Sequence, residues 1–173
     1  DYQLLLETLS EASSCSDVIV TVGGVSKGDR DYLPEIFGEL EVNKFFHKVA
    51  IRPGKPVFAG KNSSTFFIGL PGNPVSAFVT SHLFVRPLIE AFQTGCLRAL
   101  PILEAIAGDQ YVSKWRQDFI VSHVNPDGHL CKNQTTGSAD WSSLSMAQAI
   151  ALVPPSTIIE KGDSIQALLL ENL

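Results

Sequence analysis

The sequence predicts an α/β protein with a mostly parallel sheet, followed by a smaller all-β part. Two observations carry this prediction. A short β-branched run, Asp17–Val22, is followed at once by two glycines and then by helical spacing, which is the order of a parallel α/β unit. Beyond about residue 100, short strand-like runs separated by turn residues replace the helical spacing.

The first elements follow from the spacing of apolar residues. Leucines recur at helical spacing near the start of the chain and predict an amphipathic helix over Leu4–Ala12. Asp17–Val22 lacks polar alternation, which is typical of a strand buried on both faces. Asp31–Leu40 returns to helical spacing and has Pro34 in its first turn, where the missing N–H of proline costs little.

The middle of the chain predicts more strands and a second helix. Val42–Ile51 is expected to be a strand, and Val57–Ala59 and Thr65–Ile68 are expected to pair as a hairpin. A helix should begin near Val75 and be kinked or restarted at Pro87, because proline removes a hydrogen bond and clashes with the preceding turn.

The last third of the chain reads as an all-β part. We place a boundary at residues 97 and 98, which gives an α/β domain over 1–97 and a small domain over 98–173 that should pack on its neighbour. The predicted strands of the second domain are Ile102–Ile106, Asp118–Val124, His129–Lys132, Ala149–Val153 and Ser164–Leu170.

Composition excludes several classes of protein. The 173 residues carry a net charge of −5, which disfavours a general nucleic-acid binder. Three distant cysteines argue against a disulfide framework or a cysteine zinc site. No apolar stretch approaches the roughly 18 residues that cross a membrane, and no secretory signal is present, so a cytoplasmic protein is expected. The chain starts without Met in helix-like sequence and is expected to be a fragment.

Charge is unevenly distributed along the chain. No acidic residue lies between Glu41 and Glu90, whereas this window contains Lys44, Lys48, Arg52, Lys55, Lys61 and Arg86. A chance excess of cations on a solvated face would explain this distribution by itself.

Three glycine-containing turns favour a ligand site instead. Gly23–Gly28 follows a strand and precedes a helix, so its N–H groups can form an anion nest. Pro71–Pro74 leads into a helix whose first turn carries the Ser76 hydroxyl, and Arg52–Pro56 is a rigid turn with two cations. Each turn alone is more ordinary: a plain turn, a helix start or a hairpin entry. Together they predict a crevice for a phosphate or oxyanion ligand.

Other candidate groups leave alternatives open. Asp31, just after the glycines, fits either a helix N-terminal charge or a catalytic or magnesium role. The four histidines show no metal-ligand spacing, and no Ser/His/Asp or Cys/His arrangement follows from spacing. An unrelated nucleotide-binding protein is disfavoured because the chain has no GxxxxGK[ST] or GxGxxG motif.

The three motifs, Asp17–Asp31, Arg52–Pro56 and Leu70–Ser76, closely resemble those of the molybdopterin molybdenumtransferase family, which includes the E domain of gephyrin. The resemblance covers nearly the whole chain, with Arg116–Phe119, Gly137–Ser138 and Lys161–Asp163 as weaker matches. It implies an incomplete molybdopterin-binding domain, a three-layer α/β sandwich with a mostly parallel sheet, followed by a β-barrel-like domain.

The resemblance also implies an activity and roles for residues. The family inserts molybdenum from molybdate into adenylylated molybdopterin, releases AMP and uses a divalent cation, usually Mg²⁺. The implied molybdate ligands are Arg52, Lys55, Ser76, Arg116 and Ser138, and the implied molybdopterin-binding residues are Gly23, Gly24, Ser26, Pro71, Gly72, Asn73 and Pro74. Asp31 would serve the metal and hydrolysis of the adenylate, which with Lys55 makes it a predicted catalytic residue.

Some features depart from the family pattern. Ile120 and Val121 follow Phe119 where the family usually has a basic residue, and Asp1 matches the second member of an acidic pair whose first member is absent. The earlier strands and the two N-terminal domains of the family are also absent, so the chain alone is expected to be inactive. The full-length protein is expected to be a homodimer that binds anionic small molecules. A non-catalytic, gephyrin-like scaffold is the alternative, and use of tungstate stays open.

Overall fold

The computed structural model describes residues 1–25, 32–133 and 142–170. Its helices are α1 (Tyr2–Cys15), α2 (Leu33–Glu39), α3 (Pro74–Thr80), α4 (Arg86–Thr94) and α5 (Ser142–Ser145), with a π-helical segment, Ser81–Val85, between α3 and α4. Its strands are β1 (Val18–Val22), β2 (Asn43–His47), β3 (Ile51–Arg52), β4 (Phe58–Lys61), β5 (Phe66–Leu70), β6 (Ile102–Ile106), β7 (Tyr111–Val112), β8 (Gln117–Val124), β9 (Leu130–Lys132), β10 (Ala149–Val153), β11 (Ile158–Ile159) and β12 (Ser164–Leu169).

The first sheet has four strands in the order β1-β5-β4-β2. Strands β1 and β5 are parallel, whereas β4 pairs antiparallel with both β5 and β2. The predicted hairpin is confirmed, but the prediction of a mostly parallel sheet is wrong for the described strands. The reason is the short β4–β5 connection, since a parallel pair would need a crossover of a dozen or more residues.

Helices cover both faces of this sheet. On one face, α1 and α2 contribute Leu9 and Phe37, which pack with Phe58 and Phe67 of the sheet. On the other face, Ala59, Ile68 and Leu70 pack against side chains of α3, the π-helical segment and α4. The alternation of these strand residues between the two clusters follows the two-residue period of a strand.

The second sheet has six strands, with β3-β8-β10-β12-β6 in order and β9 paired to β8. All its pairs are antiparallel except the parallel pair of β3 with β8. In the part of the chain that the structure describes, the path stays open between β3 and β6, so the predicted barrel-like closure is not seen there. A separate two-stranded ribbon joins β11 to β7. The division into domains at residues 97 and 98 stays a prediction.

A third apolar cluster joins α3 to the second sheet. Val79 of α3 is fully buried and packs with Val121 of β8, Ile150 of β10 and Leu168 of β12. The helix that starts after β5 is therefore packed against both sheets, with different residues on its two sides.

The predicted disturbance at Pro87 takes the form of a change in helix type. The π-helical segment ends just before α4, and Pro87 lies in the first turn of α4. A π-bulge is a common cause of a bent helix. The whole span Pro74–Thr94 reaches 21 residues and is apolar enough to cross a membrane by length and composition alone, a test that core helices of soluble proteins also pass. The expectation that no apolar stretch approached this length was therefore wrong.

The expected strand over Val42–Ile51 is divided into β2 and β3. Lys48 interrupts it with a left-handed backbone conformation, at a φ of 68°. The Lys48 N–H donates to the Val57 carbonyl at 3.0 Å, so this reversal is held by the following turn. The chain can thereby leave the first sheet and place β3 in the second.

We expect Ile150→Ala to lower the free energy of unfolding by about 2–5 kcal/mol, because it leaves a cavity in the cluster between α3 and the second sheet. Ile158→Ala is the matched control, since Ile158 is also on a strand but is 60% exposed, and it should change stability by less than about 0.5 kcal/mol. Urea unfolding measures both values, and equal losses for the two variants would contradict the core assignment.

Candidate functional site

The three turns singled out in the sequence meet at one cleft. Its volume is about 270 Å³, and its lining residues are Gly24, Val25, Pro56, Pro71, Gly72, Asn73 and Ser76. The first glycine turn, the Arg52–Pro56 turn and the Pro71–Pro74 turn each contribute to this wall. Larger grooves, of about 400 and 660 Å³, lie on the surfaces of α4 and α1 and contain none of these residues.

The two glycine turns touch because they follow adjacent parallel strands. Val22 at the end of β1 is in register with Leu70 at the end of β5. The Gly23 N–H donates to the Leu70 carbonyl at 2.9 Å, and a Cβ atom placed on Gly72 would lie 3.4 Å from the Gly23 Cα. The backbones of the two turns are therefore in van der Waals contact, and Gly23 has a φ of 90° that favours glycine.

The Arg52–Pro56 turn is held against α3. Gly54 has a φ of 104°, and a Cβ atom there would lie 2.3 Å from the Thr80 Cγ2 atom. The Val49 N–H donates to the Lys55 carbonyl at 2.9 Å, and the Val57 N–H donates to the Gly54 carbonyl at 3.2 Å. These contacts fix the backbone of the turn next to the cleft. The Lys55 side chain is exposed and forms no ion pair with any residue that the structure describes.

The start of α3 offers fewer free donors than the sequence suggests. Asn73 is the N-cap, and its side chain accepts from the Ser76 N–H at 3.2 Å and from the Ser76 hydroxyl at 3.3 Å. Pro74 has no N–H, which leaves the N–H of Val75 without a partner among the described residues. An oxyanion at this end would therefore compete with Asn73 for the Ser76 hydroxyl.

Arg52 and Arg116 lie at the second sheet and do not line the cleft. Arg52 forms an ion pair through Nη2 with the Asp118 carboxylate, whose side chain is 2% exposed. Arg116 donates from Nη1 to the Ile51 carbonyl at 3.4 Å, and its buried Nε has no partner among the described residues. Neither predicted molybdate ligand therefore lines the cleft: Arg52 begins the turn and already has an anionic partner, and Arg116 donates to the residue before it.

Three predicted site residues, Ser26, Asp31 and Ser138, lie outside the described residues. Two others, Gly23 and Pro74, do not line the cleft but adjoin its lining residues Gly24 and Asn73 in the sequence. Within the described ranges, no group of three or more His, Cys, Asp or Glu residues is arranged to hold a metal ion. The magnesium role predicted for Asp31 therefore stays a prediction.

The structure adds residues that sequence reasoning did not include in the site. Val25 and Pro56 line the cleft, and Thr80 supports Gly54. The His47 Nε2 atom donates to the Val25 carbonyl at 3.0 Å and so holds the end of the first glycine turn. Asp118 could have been found from the sequence, since it lies in the Arg116–Phe119 match to the family and at the edge of an apolar strand run.

Comparison with known proteins agrees with the motifs. Residues 1–91 match a family described as "Probable molybdopterin binding domain". The protein "Molybdenum cofactor synthesis protein cinnamon" of Drosophila melanogaster is 35% identical over 133 residues, which is 75% of this chain and 22% of that protein. A molybdopterin molybdenumtransferase of Synechocystis is 42% identical over 86 residues, which is 49% of this chain and 22% of that protein.

Solved structures share the fold. A molybdopterin biosynthesis moeA protein from Pyrococcus horikoshii superposes with a TM-score of 0.81 at 23% identity, over 100% of this chain and 42% of that one. A second structure from the same organism gives a TM-score of 0.72 at 26% identity, over 98% of this chain and 39% of that one. The chain thus spans about a fifth of the curated relatives' length and about two fifths of these structures.

The family match covers more than half of the chain. It includes the two glycine turns and the Arg52–Pro56 turn, which contribute the lining of the cleft. The chain therefore belongs to the family of probable molybdopterin-binding domains.

Proposed function

We propose that this chain is the part of a molybdopterin molybdenumtransferase that holds the anionic substrates while molybdenum from molybdate is inserted into adenylylated molybdopterin and AMP is released. The observation that carries this proposal is the convergence of the three family motifs on one cleft. Curated relatives of the chain bear the name of this enzyme.

The charge arrangement supports an anionic ligand. Lys55 stands in a rigid turn beside Pro56 of the cleft wall and has no carboxylate partner among the described residues. Ser76 lines the same cleft, is 9% exposed and carries a hydroxyl donor. A cation and a hydroxyl held by fixed backbone bind an oxyanion with little loss of conformational freedom on binding.

In this proposal the residues divide into two groups. Lys55 and Ser76 bind molybdate, with Arg52, Arg116 and Ser138 as further proposed ligands. The glycine turns let the backbone approach the molybdopterin phosphate, through Gly23, Gly24, Ser26 and the Pro71–Pro74 turn. Asp31 is proposed to hold Mg²⁺ and to act in hydrolysis of the adenylate.

Several wider features of the proposal come from the family resemblance. They are a three-layer sandwich for the α/β part and a homodimeric full-length protein. A cytoplasmic location and the lack of a membrane or nucleic-acid partner are proposed from composition and charge instead. Activity is proposed for the full-length protein, because the chain spans only part of its relatives.

The direct test is molybdate-dependent release of AMP from adenylylated molybdopterin by the full-length protein. AMP release at a rate that saturates with molybdate is the expected result. A protein that binds molybdopterin without releasing AMP would support the alternative of a non-catalytic scaffold and would contradict the proposed enzyme.

We expect Lys55→Ala to weaken molybdate binding by the full-length protein about 10- to 100-fold, which corresponds to the loss of one charge-assisted hydrogen bond. Calorimetric titration with molybdate in the presence of Mg²⁺ measures the affinity. Lys44→Ala is the matched control, since Lys44 lies in the same acid-free window but on β2, away from the cleft. Equal affinity of Lys55→Ala and the unsubstituted protein would refute the oxyanion site.

We expect Gly54→Ala to weaken molybdate binding as well, because its Cβ would collide with Thr80 and displace the turn that carries Lys55. Gly95→Ala is the control for backbone strain, since Gly95 also has a positive φ, of 68°, but no atom within 4 Å of the added Cβ. This control should lose about 1 kcal/mol of stability and keep its affinity for molybdate.

Adding Thr80→Ser to Gly54→Ala removes the methyl group in the collision and keeps the Thr80 hydroxyl position, which donates to the Ser76 carbonyl at 2.7 Å. The double variant should regain part of the lost affinity. Equal molybdate affinity in Gly54→Ala and the unsubstituted protein would show that the Gly54–Thr80 contact does not control the site.

A further inference from the structure

We propose that Asp118 is a positioning residue for the anion site. Its buried carboxylate holds the Arg52 guanidinium and thereby fixes the turn that presents Lys55 to the oxyanion. The inference rests on the proposed function and adds to it a residue of the second sheet that lies outside the cleft lining.

Burial is the first argument for this role. The Asp118 side chain is 2% exposed, and its one ion-pair partner among the described residues is Arg52. A buried carboxylate without a partner is costly, so this pairing strongly favours one placement of the Arg52 guanidinium. The Arg52 side chain is 47% exposed, so Asp118 is the buried and more tightly held member of the ion pair.

The backbone supports the same contact. Arg52 is in register with Asp118 in the parallel pair of β3 and β8, next to the pair of Ile51 with Gln117. The Gln117 N–H donates to the Ala50 carbonyl at 3.3 Å. The strand that leads into the turn, β3, is therefore held to β8 by both main-chain and side-chain contacts.

Lys55 lies between two attachments. Before it, Arg52 is held by Asp118 in the second sheet; next to it, Gly54 packs on Thr80 of α3. Since the Arg52–Pro56 turn bridges these two points, releasing the first would let the turn pivot about the second. The position of the Lys55 ammonium group would then become less defined, which lowers its value as an anion ligand.

The ion pair also makes Arg52 and Lys55 electrostatically different. Asp118 compensates the charge of Arg52, whereas Lys55 has no such compensation among the described residues. If Asp118 acted only through charge, removing it would make the turn more positive and strengthen anion binding. If Asp118 acts by positioning, removing its charge weakens anion binding, so the two roles predict opposite signs.

The test uses Asp118→Asn in the full-length protein, because asparagine keeps the shape and removes the charge. We expect the KM for molybdate to rise about tenfold with kcat changed less than about twofold, as the weakening of one charge-assisted hydrogen bond would produce. Asp118→Glu, which keeps the charge, should recover part of this loss. An unchanged or lowered KM for Asp118→Asn would overturn the proposal.

Glu90→Gln is the matched control, since it removes the charge from a second ion pair among the described residues, from Arg86 Nε to Glu90 at 2.7 Å in α4. Its KM for molybdate should equal that of the unsubstituted protein. If Asp118→Asn does not fold, Arg52→Lys tests the same contact from the exposed side. Lysine keeps the charge and loses the planar fork. Because Arg52 is itself a proposed molybdate ligand, this variant is read by amide exchange: faster exchange of the Val49 and Val57 N–H groups is expected, and unchanged exchange would overturn the proposal.

A second readout does not depend on catalysis. Amide hydrogen exchange of the Val49 and Val57 N–H groups, which hydrogen-bond within the turn, should become faster in Asp118→Asn and stay unchanged in Glu90→Gln. Unchanged exchange would refute the positioning role of Asp118, whatever the activity of the variant. If the unsubstituted protein shows no molybdate-dependent AMP release but exchange is still faster in Asp118→Asn, the positioning role of Asp118 is supported and the proposed function is refuted.

Discussion

The packing of helix α3 between the two sheets fixes the shape of the cleft. The helix that begins after Asn73 is packed against the first sheet through residues such as Ala77 and against the second sheet through Val79. Because both sides are occupied by close-packed apolar side chains, the helix has little freedom to rotate or slide. Its first turn is a wall of the cleft, and Thr80, one turn later, supports Gly54. The cleft therefore takes its shape from the packing of the core.

The electrostatics of the site depend on which cations are already paired. The acid-free window holds six basic side chains, but the structure treats them differently. Arg52 pairs with Asp118, Arg86 pairs with Glu90, and the Lys61 ammonium group lies 4.7 Å from the centre of the Phe66 ring. Lys44, Lys48 and Lys55 form no ion pair with any described residue, and of these Lys55 directly precedes Pro56 of the cleft wall. An acidic protein thus offers an uncompensated cation at this turn, where a small anion can be held.

The convergence of the glycine turns could be predicted from the sequence, because both turns follow apolar strand-like runs and the ends of adjacent parallel strands meet. The structure confirms this with Val22 in register with Leu70. The predicted burial of the first run on both faces was wrong, since β1 is an edge strand of the described sheet with Val20 and Val22 exposed. The ion pair of Arg52 with Asp118 could not be predicted in this way. Its strand β3 has only two residues, too few for a periodic signal, and its partner lies 66 residues further along the chain.

Other differences between expectation and structure have the same origin. The two-residue strands β7 and β11 and the four-residue helix α5 are too short to show a period, so their places are set by partners distant in sequence. The expected row of free N–H groups at α3 is reduced by Pro74 and by the Asn73 cap, both of which are visible in the sequence. Pairing of the longer strands could therefore be predicted, whereas pairing of very short elements with partners distant in sequence could not.

The second sheet helps to position the Arg52–Pro56 turn. By accepting β3 as a parallel strand, it receives the part of the chain that leads directly into the cationic turn. One attachment of that turn is a buried carboxylate of β8, and the other is a methyl group of α3. A buried carboxylate is a demanding anchor, because it tolerates only a paired cation, and this requirement transfers the rigidity of the second core to the turn. The proposed anion site thus depends on both sheets, although the residues that line the cleft all come from the first part of the chain.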